Sequence, residues 1–330
     1  MGWVTYLGFL AVALVVAVGV RWFDPAVVDQ LSRKTGLSGA KGWTLLLVAA
    51  SWTFLPLLAG AETGDGEMWM FGSAVAGVGF YLGTVAVTSV DEYRLLHRTP
   101  HVSPGQVTTG TGDEAVVTSG TPAVEDGKEG EARTPFTGLP SVHTDWILQR
   151  RDRVGARTVW RNVGGGVRSV PFTLDDGAVA VRAGGNRVFS NAERITTFEP
   201  DEPLPDAAAE FLRAHPDLPD PEDRESKLRT VETYVPADEP VTVVGVPRQG
   251  EFPGQRLIDR APPDELLGTD GVHATDGGSG EVVLIRGDAD EAERTLHKRV
   301  YWLGAASVVM ILGGQALAFW LSGASSTAFL

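Results

Sequence analysis

The stretch SVPFTLDDGAVAVRA, residues 169–183, decides how the middle of the chain is read. Val170, Phe172 and Leu174 alternate along one arm, and Val179 and Val181 along the other. Period-two alternation interrupted by Asp-Gly is a strong local signal for a β-hairpin. Asp175 and Asp176 could instead be a catalytic or metal-binding pair. That chemistry needs further ligands, and no nearby residue supplies one. Aspartate suits turn backbone and glycine supplies positive φ, so the pair reads as a turn and the region as β-rich.

Working outward, short β patterns recur from Gly138 onward, separated by turn residues. DWILQRRD (145–152), RTVWRNV (157–163), RVFS (187–190) and RITTFE (194–199) are such patterns, and EAVVTSGTPAV (114–124) holds a candidate first strand. NVGGGVRS (162–169) lacks the Lys-Ser/Thr ending of a phosphate loop and reads as a hairpin turn. AAAEFLRAHPDL (207–218) predicts a short helix stopped near Pro216. KLRTVETYV, PVTVVGVPR and EVVLIRG predict three more strands. Asp288 with Glu291 has the spacing of a capping box.

The ends of the chain are apolar. The runs Trp3–Val20, Trp43–Ala61, Met68–Val90 and Val300–Gly323 each approach or exceed the length needed to span a bilayer, about 20 residues. The first has no basic flank and no convincing cleavage site, so it reads as an uncleaved anchor. Basic residues cluster after the first run (Arg21, Arg33, Lys34, Lys41), after the third (Arg94, Arg98) and before the fourth (Arg294, Lys298, Arg299). Such clustering predicts a cytoplasmic central region with both termini outside. The sequence therefore predicts a multi-pass α-helical protein of the cell membrane with one β-rich (α+β) soluble domain. Its parts are spans at about 3–20, 43–61 and 68–90, a linker at 91–114, a domain at 115–288, a helix at 289–323 entering the fourth span, and a tail at 324–330.

Of the 330 residues, 42 are acidic and 28 basic, for a net charge of −14, and only five of the basic residues are lysines. An acidic, lysine-poor surface suits a halophilic, high-salt cytoplasm and argues against nucleic acid as a partner. There is no cysteine, which excludes disulfides, thiolate zinc sites, iron–sulfur clusters and a cysteine nucleophile. His97 and His101 have i,i+4 spacing, but Pro100 lies between them. His143 and Asp145 could share one face of a strand, yet two adjacent ligands rarely suffice for a metal. With no HExxH and no GxSxG, the sequence offers no catalytic, cofactor-binding or metal residues.

RRDR (150–153), with Arg157 and Arg161, is a basic patch in an acidic chain. It reads as a strand with solvated charges, the alternative being an anionic partner such as lipid headgroups. The apolar runs carry almost no ionisable residue, against transport or proton relay. Gly79 and Gly83 permit close helix approach, within the chain or in a homo-oligomer.

In order, TPFTGLPSVHTDWILQRR, TVWRNVGGGVRSVPFTLDDGAVAV, ESKLRTVETYVPADEPVTVVGV and VVLIRGDADEAERTL resemble the GIDE domain of membrane-anchored mitochondrial RING ubiquitin ligases and their prokaryotic relatives. The resemblance covers about residues 115–322. It rests on Trp160, on the block holding Val170, Pro171, Phe172, Leu174, Asp176 and Gly177, and on Glu225, Leu228 and Gly245. It implies a membrane-anchored binding or scaffolding module that engages the bilayer and an unidentified protein partner. The alternative is a component of a ubiquitin-like E3 transferase system acting with a separate catalytic subunit. A RING binds zinc through cysteine and histidine clusters. A cysteine-free sequence cannot supply that set, so the ligase chemistry does not carry over.

Overall fold

The computed structural model describes residues 66–107, 114–154, 157–182, 187–260 and 282–322, except 126, 129, 175–176, 190–191 and 223, together with 48–49, 52 and 262. Among the described residues two helices, α1 (Gly66–Arg98) and α3 (Ala289–Ser322), are long and apolar enough to cross a membrane. The expectation of a multi-pass α-helical membrane protein is corrected by this finding. The described chain is an α+β fold with twelve strands in two sheets, one short helix and at most two candidate spans. A four-span localisation with both termini outside is corrected on the same ground. The reading failed because hydropathy weighs apolar runs by length alone, whereas about as many of the described residues lie in paired strands as in helices. The expected spans at 3–20 and 43–61 lie essentially outside the described residues.

The chain divides into two compact units, 1–90 with 296–330, and 91–295. In the first, α1 and α3 meet through small residues. A Cβ on Gly72 would strike the backbone of Ala318, one on Gly79 would come 2.8 Å from Ile311, and one on Gly314 2.5 Å from the backbone of Ala76. On α1 the small residues Gly72, Ala76, Gly79 and Gly83 recur three to four residues apart, so they fall on one helix face and let the backbones touch. Trp69 meets Phe319 edge-on at 5.0 Å. Phe71, Val87, Trp302, Val309 and Trp320 are exposed, which leaves an apolar surface on both helices.

The second unit is built from strands. β1 (Val116–Gly120), β2 (Pro122–Val124), β5 (Phe172–Leu174), β6 (Val179–Val181), β7 (Arg187–Phe189), β10 (Val241–Gln249), β11 (Arg256–Arg260) and β12 (Val283–Arg286) form an eight-stranded sheet. β10 is shared. Its first half pairs with β1 on one side and β12 on the other, and its second half pairs with β11. The register shifts between Val246 and Pro247, a bulge that bends the strand and accommodates a proline lacking its N–H donor. Gly245 sits beside that bend, where a Cβ would lie 2.5 Å from Ile258 Cγ2 and 2.7 Å from the Arg260 carbonyl. β5 and β6 pair Phe172 with Val181 and Leu174 with Val179 around a turn in which Gly177 has φ +85°. These four side chains join Val243, Ile258 and Leu284 in one buried core.

The second sheet runs β4 (Arg157–Ser169), β3 (Ser141–Val154), β9 (Leu228–Pro236), β8 (Glu193–Phe198). Val142 of β3 and Val235 of β9 enter the core of the first sheet. One face of the second sheet is covered by α2 (Asp206–Ala214), with Phe136, Trp146, Leu148, Leu212 and Leu228 packed together. The glycine triplet 164–166 is no hairpin turn. It lies inside β4, opposite Ile147 and its neighbours, next to a register shift at Leu148/Gln149. The indole of Trp146 explains it. A Cβ on Gly166 would come 3.1 Å from that ring, and one on Gly164 would strike Leu218.

Gly245→Ala is predicted to destabilise the full chain by about 1–3 kcal/mol through overpacking against backbone, read as a lower urea midpoint by tryptophan fluorescence in detergent. Gly105→Ala, where a Cβ meets nothing within 4 Å, should change the midpoint by less than about 0.5 kcal/mol.

Candidate functional site

The length mismatch within the second sheet creates its most distinctive feature. β3 and β4 pair along their whole length, from His143–Ser169 to Val154–Arg157. β9 pairs with β3 only as far as Arg150–Leu228, and β8 ends at the same level. One further bond runs from Arg151 N to the Lys227 carbonyl, 2.9 Å. Residues 151–154 and 157–161 therefore continue past their neighbours as a two-stranded arm. Its sequence, RDRVGARTVWR, holds four arginines and one carboxylate in a chain of net charge −14.

Strand alternation sorts these charges onto two faces. On one face Asp152 lies 2.8 Å from Arg150 Nε and 3.5 Å from Arg161 Nε. Hydrogen bonding to Asp152 holds the Arg150 guanidinium above its usual range. On the other face Arg151, Arg153 and Thr158 are exposed and Trp160 is half-buried. The Arg229 guanidinium carbon lies 4.4 Å from the centroid of the Trp160 ring, a cation–π contact. Arg229 Nε donates to Gln149 Oε1 at 2.8 Å, and Gln149 Nε2 donates to Asn162 Oδ1 at 2.9 Å. Gln149 is 1 % exposed. A buried amide with both ends engaged thus fixes the guanidinium over the indole. Farther along this face Val167 and Ile195 are 54 % and 52 % exposed. The basic patch of the sequence is therefore half internally neutralised and half presented outward around one tryptophan.

The other titratable groups of interest are buried and serve the fold. Glu232 on β9 is 0 % exposed. Its carboxylate accepts from Phe136 N at 2.8 Å and Thr137 Oγ1 at 2.6 Å. The loop it holds is closed on itself by Thr134 N to the Leu139 carbonyl, 2.8 Å, and turns at Gly138 with φ +65°. Burial pushes the Glu232 carboxyl up, against the pull of these hydrogen bonds. His143, 2 % exposed, has Nδ1 2.5 Å from Ser169 Oγ. Burial pushes its imidazole down to about 4. Neither His143–Asp145 nor any other set makes a group of three metal-holding side chains among the described residues. His97 and His101 diverge. His97 Nδ1 lies 2.8 Å from Glu293, while α1 ends at Arg98 and His101 Nε2 contacts the Leu96 carbonyl.

The residues on which the family resemblance rests fall in different places. Val170, Phe172 and Leu174 are buried in the first core, Leu228 in the second, and Gly245 at the β10 bend. Gly177 lies in the β5–β6 turn and Pro171 is exposed just ahead of β5, at the other end of the hairpin. Glu225 is exposed ahead of β9, and Trp160 lies on the arm. Asp176, with Asp175, lies outside the described residues. Gly79 and Gly83 face Ile311 and Ser307 of the same chain. Sequence reasoning missed Arg229, Gln149 and Glu232. Only Glu232 left a signal, as a carboxylate in step with Leu228 on an apolar strand. Arg229 reaches Trp160 through a register that no local pattern encodes.

Comparison with protein-family models, with curated proteins and with solved structures found no match.

Two predictions follow from the buried groups. The folded pKa of His143 is below its unfolded value, so its contribution to stability is present above about pH 6.5 and lost as pH falls toward about 4. The loss should reach about 3 kcal/mol. His143→Gln should remove that acid limb from a plot of unfolding midpoint against pH. Glu232, raised in the folded state, contributes with the opposite sign, favouring the fold as it protonates. Glu232→Ala should cost about 3 kcal/mol at neutral pH, measured by denaturant unfolding, because Phe136 N–H and the Thr137 hydroxyl lose their buried acceptor.

Proposed function

We propose that this protein is a non-catalytic binding and scaffolding module, GIDE-like in its β-rich unit and anchored at a membrane through α1 and α3. The observation that carries the reading is the arm. Arg151, Arg153 and the Arg229–Trp160 stack form an outward surface of cations around an indole. Tryptophan and arginine are the side chains most enriched where proteins bind partners tightly. A projecting two-stranded element also reaches a partner without exposing the core. Support for the anchor comes from the large apolar side chains that α1 and α3 leave exposed, Phe71, Val87, Trp302, Val309 and Trp320 among them, together with the length and apolar composition of both helices. The two helices precede and follow the β-rich unit in the chain, so both ends of that unit are tethered.

The buried His143 and Glu232 fit this reading. Each is engaged by neighbours within the fold and is removed from solvent. A catalytic acid or base needs access to a substrate proton.

The test is quantitative capture of proteins on the full chain from native membranes, comparing the wild type with Arg151→Glu/Arg153→Glu. Reversing two exposed charges should lower retention of the bound proteins at least tenfold, a loss of about 1.4 kcal/mol or more, with the urea midpoint unchanged. Equal retention by wild type and variant would overturn the reading.

A further inference from the structure

We infer that the outer edge of β4 takes an extended acidic segment of a partner protein as an added strand. The inference rests on the binding-module reading and names the chemistry of the partner. Three observations meet at this edge.

The first is backbone. β4 stands at the end of its sheet and, among the described residues, pairs only with β3. It is 13 residues long, which at about 3.3 Å per residue gives an edge of roughly 43 Å. Edges of that length are usually shortened, broken by proline or covered. β4 contains no proline. Its outward N–H and C=O groups need hydrogen-bonding partners, and an incoming strand supplies them in the right spacing.

The second is access. Gly165 is exposed at mid-strand, and the absence of side chains at 164–166 lets another backbone approach closely. Gly164 and Gly166 are already required beneath the Trp146 ring, and a Cβ on Gly165 would press on the Trp146 carbonyl, so the same feature that seats the indole opens the edge.

The third is charge. Residues 150–168 hold six arginines against the single carboxylate of Asp152. Arg161 is exposed on the edge strand itself, on the Asp152 side, and Arg151 and Arg153 are exposed on the opposite face of the neighbouring β3. No carboxylate lies on β4, so an acidic strand meets no like charge along it. A phosphate-bearing lipid or nucleic acid would use the arginines but leave the backbone edge unpaired. A polypeptide uses both features, which is why the occupant is assigned as protein.

The experiment uses the full chain in detergent micelles and a fluorescein-labelled nonapeptide of alternating Glu and Val, read by anisotropy and by amide hydrogen exchange. Binding is expected, with slowed exchange confined to β4, and at least tenfold weaker for Arg151→Glu/Arg153→Glu. A peptide of the same sequence with alternate residues N-methylated should fail to bind. Binding should weaken but persist at 1 M salt, where charge attraction is screened beyond about 3 Å and the backbone ladder remains. Equal binding of a Lys–Val peptide or of the N-methylated peptide would overturn the inference, as would phosphatidylglycerol vesicles protecting the arm when the peptide does not. If protein retention still depends on Arg151 and Arg153 while the peptide leaves β4 exchange unchanged, strand addition falls and the binding-module reading stands.

Discussion

The β-rich unit depends on one strand serving three partners. β10 is paired on both sides along its first half and then bends at Val246–Pro247 to receive β11. Gly245 makes the bend sterically feasible, because any side chain there would press on Ile258 and the Arg260 backbone. Val241, Val243 and Val244 along the strand are fully buried, and each buried valine is worth about 1.5–3 kcal/mol of removed apolar surface. The β5–β6 hairpin joins this sheet through β11, with Val179, Ala180 and Val181 in parallel register against it.

From that core the second sheet is held at one end and left free at the other. Val142 and Val235 root β3 and β9 in the same apolar cluster as β10. Midway, Trp146 lies between the glycine-lined inner side of β4 and the aromatic rings of Phe136 and Phe211, with centroids 5.5 and 5.2 Å away. Beyond Arg150 the covering strands stop. Burial and pairing thus fall off along a single hairpin, from buried root to exposed arm. Positioning a recognition surface on regular structure keeps its geometry defined, and the Gln149 amide extends that order out to the Arg229–Trp160 stack.

Local patterns carried much of this into the sequence. Alternation around residues 170–181 specifies the β5–β6 hairpin, because Gly177 takes the positive φ of the turn and the valines fit the core. Asp288 caps α3 by accepting from Glu291 N at 2.7 Å, which the spacing of the two residues encodes. The glycine triplet misled because glycine serves turns and close approaches alike. What distinguishes them is Trp146, brought alongside by pairing between β3 and β4. β11, RLIDR, was missed because five residues whose two buried members, Leu257 and Ile258, are adjacent show no period-two pattern. The multi-pass class failed for a related reason. Hydropathy sees apolar runs one at a time, whereas fold class is set by what the polar middle pairs with. Of the candidate surface, Trp160 and the arginines were visible as residues, but their sorting into a neutralised and an outward face needed the register.

The central claim is that the outward face of the β3–β4 arm is where this protein meets its partner. A photo-reactive amino acid placed at Thr158, exposed on that face, and separately at Asp201, exposed elsewhere on the unit, tests it in intact membranes. Cross-linking to another protein from position 158, absent from position 201 and lost when Arg151 and Arg153 are reversed in charge, is the predicted result. Cross-links of equal yield from both positions, or none from 158, would contradict it.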